Sequence, residues 1–112
     1  MRKVRVLAIA SGLSLIAVSA LAAESAPKFE DIQQIISARC QSCHSENPDQ
    51  PGIYDAPMGV KLDTPAEIHA YAPRILQKAV KEKIMPLGNI TQMTDQEREA
   101  LGTWIAAGAK IQ

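Results

Sequence analysis

Apolar residues recur at helical spacing in three stretches of the chain, with turn and proline signals between them. From Lys28 to Arg39 the apolar positions are Phe29, Ile32, Ile35 and Ile36, and the polar face carries Glu30, Asp31, Gln33 and Gln34. That pattern predicts an amphipathic helix ending at about Arg39. Thr64-Pro65-Ala66-Glu67 reads as a second helix start. Thr64 can cap, proline suits the first helical position, and Glu67 can reach back to close a capping box. Pro73 lies inside the run that follows, so a short helix to about Tyr71 should give way to a kink or restart and a second helix to about Lys83. Ile75, Leu76, Ala79 and Val80 would form its inner face. Met85-Pro86-Leu87-Gly88-Asn89 then breaks the helix and opens a loop to Met93. Thr94-Asp95-Gln96-Glu97 is a second capping box. It precedes a helix from Asp95 to about Ala107, with Ala100, Leu101, Trp104 and Ile105 inward and Gly108 near the C-cap. No strand alternation appears, so the predicted fold class is all-α, with three or four helices.

Two stretches fall outside this pattern. Ser45 to Val60 contains Pro48, Pro51, Gly52, Pro57 and Gly59, a density that excludes a regular helix. A loop of that length in a small domain needs something to wrap; Ile53, Tyr54 and Val60 are its candidate packing residues. The other stretch is the first. Arg2, Lys3 and Arg5 are followed by an apolar run from Val6 to about Val18 and by Ala20-Leu21-Ala22. These are the parts of a secretory signal peptide, 1–22, cut after Ala22. The alternative is an uncleaved anchor, since Leu7 to Ala23 is nearly long enough to span a bilayer. Its serine and alanine content and the small-x-small pattern favour removal. No cysteine sits near the cut, which excludes a lipoprotein anchor. Ala23 to Pro27 reads as a short leader, and 23–112 as one small domain exported to the periplasm.

Charge narrows the partners. The export peptide carries three of the twelve basic residues, leaving nine against twelve acidic, a net charge of −3. That balance argues against nucleic acid or an anionic membrane surface and mildly favours a protein with a basic docking face.

The chemistry is concentrated in Cys40-Gln41-Ser42-Cys43-His44, at the end of the first predicted helix. C-x-x-C-H is the attachment signature of a c-type haem. Two thiols three positions apart can reach the two vinyl groups on one porphyrin edge, and the histidine that follows becomes the proximal iron ligand. A thioredoxin-like dithiol would want a βαβ surround, which is missing. A structural zinc would want four Cys/His ligands, and only His69 remains to add. A plain Cys40–Cys43 disulfide suits an exported chain but gives His44 no role. One covalent haem c would also stabilise a domain of about 90 residues by contributing a large apolar plate to its core.

Three features together resemble the small class I cytochromes c: a helix ending in CQSCH, Met85-Pro86 in a late loop, and a closing helix containing Trp104. The resemblance covers essentially the whole domain. It implies a small cytochrome c fold of three to four helices packed around one covalent haem, with the first and last helices crossing. It also implies that the methionine of the Met-Pro turn is the distal iron ligand. A thioether suits that post, because a soft neutral sulfur favours ferrous iron and raises the potential. Met58, Met85 and Met93 compete for it, each with gap-filling as its other reading. Met85 is preferred because Pro86 stiffens its turn; Met93 comes next and Met58 last. His69 as a ligand would give bis-His coordination, but such a residue more often meets solvent or a propionate.

Two longer strings, Ala56-Pro57-Met58-Gly59-Val60-Lys61-Leu62-Asp63-Thr64-Pro65 and Met85 through Arg98, resemble the cytochrome c domain at the C-terminus of membrane-bound urate hydroxylases. In that family the haem domain follows a multi-span membrane portion, whereas here a predicted export signal precedes it. The resemblance implies a free-standing haem domain; one covalent haem with both axial positions filled points to a monomeric electron carrier, not an enzyme. It would exchange single electrons as Fe(III)/Fe(II) between a donor (a purine-oxidising membrane enzyme is one candidate) and a terminal oxidase or other acceptor. It would meet the membrane only through a partner. Two alternatives stand beside it: a haem subunit permanently docked on a membrane oxidoreductase, and a haem sensor or enzyme with an open iron site.

Overall fold

The computed structural model describes residues 2–4, 8–14 and 25–112. The predicted cut after Ala22 and both ends of the apolar run before it lie outside the described residues. Ile9 and Leu13, in the described part of that run, are exposed, as is Val4 before it. No helix among the described residues is long and apolar enough to cross a membrane.

The described residues form helices and no strand. Helix α1 runs Phe29–Arg39, α2 Pro65–Ala70, α3 Ala72–Ile75 and α4 Asp95–Ala106. Both predicted capping boxes are present. The Thr64 and Thr94 side chains accept from the Glu67 and Glu97 amides, and each glutamate reaches back to its cap. Pro73 sits in the first turn of α3, so the chain restarts there as the proline requires. Gly108, at φ +108°, takes the left-handed turn after α4 that a β-carbon would resist.

One element departs from the periodicity. Beyond Ile75 the helix widens into a π-helical turn, Leu76–Lys81, and ends two residues short of the predicted Lys83. The Glu82 amide donates to Gln77 O, and the Ile84 and Met85 amides share Lys78 O. In an α-helix Ala79 O would accept from the Lys83 amide; here it accepts from the Arg98 guanidinium. A side chain that takes a helix carbonyl is one recognised cause of such a break.

The core is built where these faces meet. Ile32, Ile36, Ile68, Leu101 and Trp104 are fully enclosed, with Leu62, Ala72, Ile75, Ala79 and Met93 beside them. Helix α1 packs on α4, and the Phe29 and Trp104 rings stack with centroids 5.9 Å apart. The Trp104 indole donates to Lys110 O, fastening the last residues under α4. Between α1 and α2, the only helical piece of the Pro/Gly-rich connection is the 3-10 turn Pro57–Gly59.

Candidate functional site

The CQSCH segment continues from α1 as a loose turn. Cys40 N donates to Ile36 O at 2.9 Å, and His44 N to Cys40 O at 2.9 Å. The long connection then folds back on it. Asp49 and Gln50 amides both donate to Ser42 O, and residues 60–62 run past the motif. Leu62 N donates to His44 O at 3.0 Å, and the Gln41 side chain donates to Leu62 O at 2.9 Å.

His44 is held by this segment at its ring. Its Nδ1 lies 2.9 Å from Val60 O. A carbonyl only accepts, so Nδ1 carries the proton, and in the neutral ring Nε2 keeps its lone pair. That is the tautomer and orientation required of an imidazole that ligates a metal through Nε2. The carbonyl partner comes from the far end of the Pro-rich loop, and this gives the loop a structural task.

Cys40 and Cys43 are both half-buried and both free. Burial pushes the Cys40 thiol up to about 12, helped by the negative charges of Cys43 and Glu97, while the Arg98 charge pulls the other way. Such a thiol stays protonated at neutral pH, the opposite of the depressed thiol that a redox-active C-x-x-C uses. Among the described residues no three His, Cys, Asp or Glu side chains assemble into a metal-holding group. A structural zinc would need four such ligands. A haem iron needs only axial donors, because the porphyrin brings its own nitrogens. The Ser42 hydroxyl, between the two cysteines, is buried without a partner.

The three methionines sit in different surroundings. Met58 is 91 % exposed on a left-handed turn at φ 57°. Met93 is 4 % exposed, inside the core, with its backbone gripped at both N and O by the Asn89 amide. Met85 is half-buried at the edge of the core, joined to a buried Pro86 by a cis peptide. Its carbonyl accepts from Arg98 at 2.7 Å. His69, the other histidine, lies on α2, exposed, with Nδ1 2.7 Å from Ala109 O. It fastens the C-terminal residues and takes no part in the CQSCH turn.

Neighbouring residues join the motif to the Met85 loop. Arg39, one residue before Cys40, makes a two-nitrogen pair with Glu97 and donates to Thr91 O. Thr91 Oγ1 donates back to Arg39 O at 2.8 Å. These contacts tie α1, the 89–93 loop and the start of α4 together just beside the motif. The Arg39 bonds hold the Glu97 carboxyl below the usual range against a smaller opposing effect of burial, and Thr94 adds to the lowering. Neither Arg39 nor Arg98 figured among the residues expected from sequence. One signal was there to be read: Arg98 lies three residues before Leu101 on the buried stripe of α4, where a charge is out of place.

A cavity of about 300 Å³ lies elsewhere, between Pro27, Phe29, Trp104, Ala107 and Ile111, where the chain enters and leaves the domain. It contains none of Cys40, Cys43, His44 or Met85.

No protein family, curated protein or solved structure matches the chain.

Proposed function

We propose that the domain is a small monohaem cytochrome of class I type, exported to the periplasm by residues 1–22, which are then removed, and that it carries single electrons between redox proteins. The observation that carries this reading is the C-x-x-C-H turn whose histidine donates through Nδ1 to Val60 O, leaving Nε2 free for iron. Cys40 and Cys43 would hold haem c by thioethers. His44 would be the proximal ligand and Met85 the distal one. Met85 fits best because its side chain is neither locked in the core like Met93 nor turned to solvent like Met58. Once bound, haem c supplies reversible one-electron Fe(III)/Fe(II) exchange. The chain's own tasks are to orient the imidazole through Val60 O and to hold the Met85 loop in place. If His44 and Met85 both hold the iron, the group would supply electron exchange alone, and the protein would be a carrier rather than an enzyme.

A denaturing gel of the exported protein tests the attachment. Haem should stay with the chain through denaturation, and Cys40→Ser with Cys43→Ser should release it. Haem that leaves the parent chain on denaturation would sink the proposal.

A second reading, a subunit that stays docked on a membrane oxidoreductase, is favoured by one observation. Tyr54, Met58, Leu87 and Ile90, on the two long loops, are 57–91 % exposed. A carrier should elute as a monomer and exchange freely with its partners, whereas a docked subunit should co-purify with one membrane enzyme. Urate or another purine as the donor's substrate belongs to this same proposal and rests on the sequence resemblance alone.

A further inference from the structure

We infer that Arg98 is the positioning residue that keeps the Met85 loop closed, and therefore sets how firmly Met85 stays on the iron; the second half of this rests on the haem reading above. Arg98 is 6 % exposed, and none of the ion pairs among the described residues includes it. A guanidinium so buried must recover its lost hydration from good acceptors. Its acceptors are all neutral and all belong to one stretch of chain. They are Ala79 O in the π-helical turn, Met85 O at 2.7 Å, and Asn89 Oδ1 at 3.4 Å. One rigid fork thus spans the Met85 loop from its first hinge to its last. Asn89 extends the network, bonding Met93 at N and O, so the far end of the loop is closed onto the core.

Apolar burial does little to hold this loop. Ile84, Leu87 and Ile90 all face solvent, and Pro86 alone is enclosed before the loop reaches Met93 in the core. The Arg39–Thr91 bonds hold its far end, and the bonds that close its Met85 end are the Lys78 O pair and the Arg98 fork. A ligand on a loop that opens and closes binds with an affinity reduced by the open fraction. Losing hydrogen bonds to a charged group should raise that fraction roughly ten- to hundredfold.

The test uses the exported, haem-loaded full chain with Arg98→Met, Arg98→Lys and, as a control, Thr94→Ala, which weakens the start of α4 without removing any Arg98 bond. Two readouts are followed: displacement of the ferric methionine–iron band by imidazole, and hydrogen exchange at the Ile84 and Met85 amides. Arg98→Met should bind imidazole roughly tenfold or more tightly and speed exchange at Ile84 and Met85 by a similar factor. The α1 amides should move less. Arg98→Lys should recover part of both effects, and serves alone under the same criteria if Arg98→Met does not fold. Thr94→Ala should lower the unfolding midpoint with neither effect. Equal changes in the Arg98 and Thr94 variants, or none in either Arg98 variant, would overturn the inference. If the parent lacks the methionine–iron band, the distal-ligand reading falls separately. Amide exchange then decides on the clamp alone: selective loosening at Ile84 and Met85 supports it, and uniform loosening rejects it.

Discussion

Met93 and Met85 belong to the same loop region but face opposite fates on truncation. Met93 is enclosed by the core, so Met93→Ala should cost roughly 2–5 kcal/mol. Denaturant unfolding would measure that loss, while the methionine–iron band should remain. If the band disappears instead, Met93 is the ligand. Glu97 offers a pH test at the same scale. Its carboxyl is held below its ordinary value, chiefly by Arg39, so the folded state favours the ionised form. Its contribution is therefore full above the unfolded-state carboxylate pKa and fades as pH falls through the lower folded value. The stability gap between parent and Glu97→Gln, measured by urea midpoint across pH, should be open at neutral pH and close in acid. A gap that is constant with pH would contradict the Arg39–Glu97 account.

At the level of elements, α4 is the part on which the others depend. It packs on α1, on α3 and on the π-helical turn, and its first turn carries both Glu97 and Arg98. Removing its cap, Thr94→Ala, should cost about 1 kcal/mol by thermal or denaturant unfolding. Gly102 marks its closest approach: a β-carbon there would lie 3.1 Å from Val80 Cγ1. Gly102→Leu should therefore force α4 away from the 76–81 turn and cost about 1–3 kcal/mol, although leucine is the better helix former. The helices themselves were legible, because Ile32, Ile36, Leu101 and Trp104 repeat at the right period and Thr64, Pro73 and Thr94 punctuate them. The C-x-x-C-H turn was equally legible, being local in sequence. The π-helical turn was not, since it depends on a guanidinium reaching Ala79 from nineteen residues away. Pro86 favoured Met85 over Met93 in the sequence, but the deep burial of Met93 was not legible, because distant parts of the fold enclose it.

For the whole molecule, the proposed mature charge of −3 has a kinetic consequence. Electron transfer to a basic partner protein should slow as salt rises, because screening removes the attraction that steers the encounter. Stopped-flow rates across an ionic-strength series would read this directly, and a rate that rises with salt would point to an acidic partner. The fold also bears on size. A domain of about 90 residues has limited apolar surface to bury, so bound haem should add markedly to its stability. The most direct test of the account is an absorption spectrum of the exported, haem-loaded protein, oxidised and reduced, beside Met85→Ala. The parent should show a low-spin spectrum with a ferric methionine–iron band that Met85→Ala abolishes. A high-spin parent that binds carbon monoxide readily, or a band that survives Met85→Ala, would contradict it.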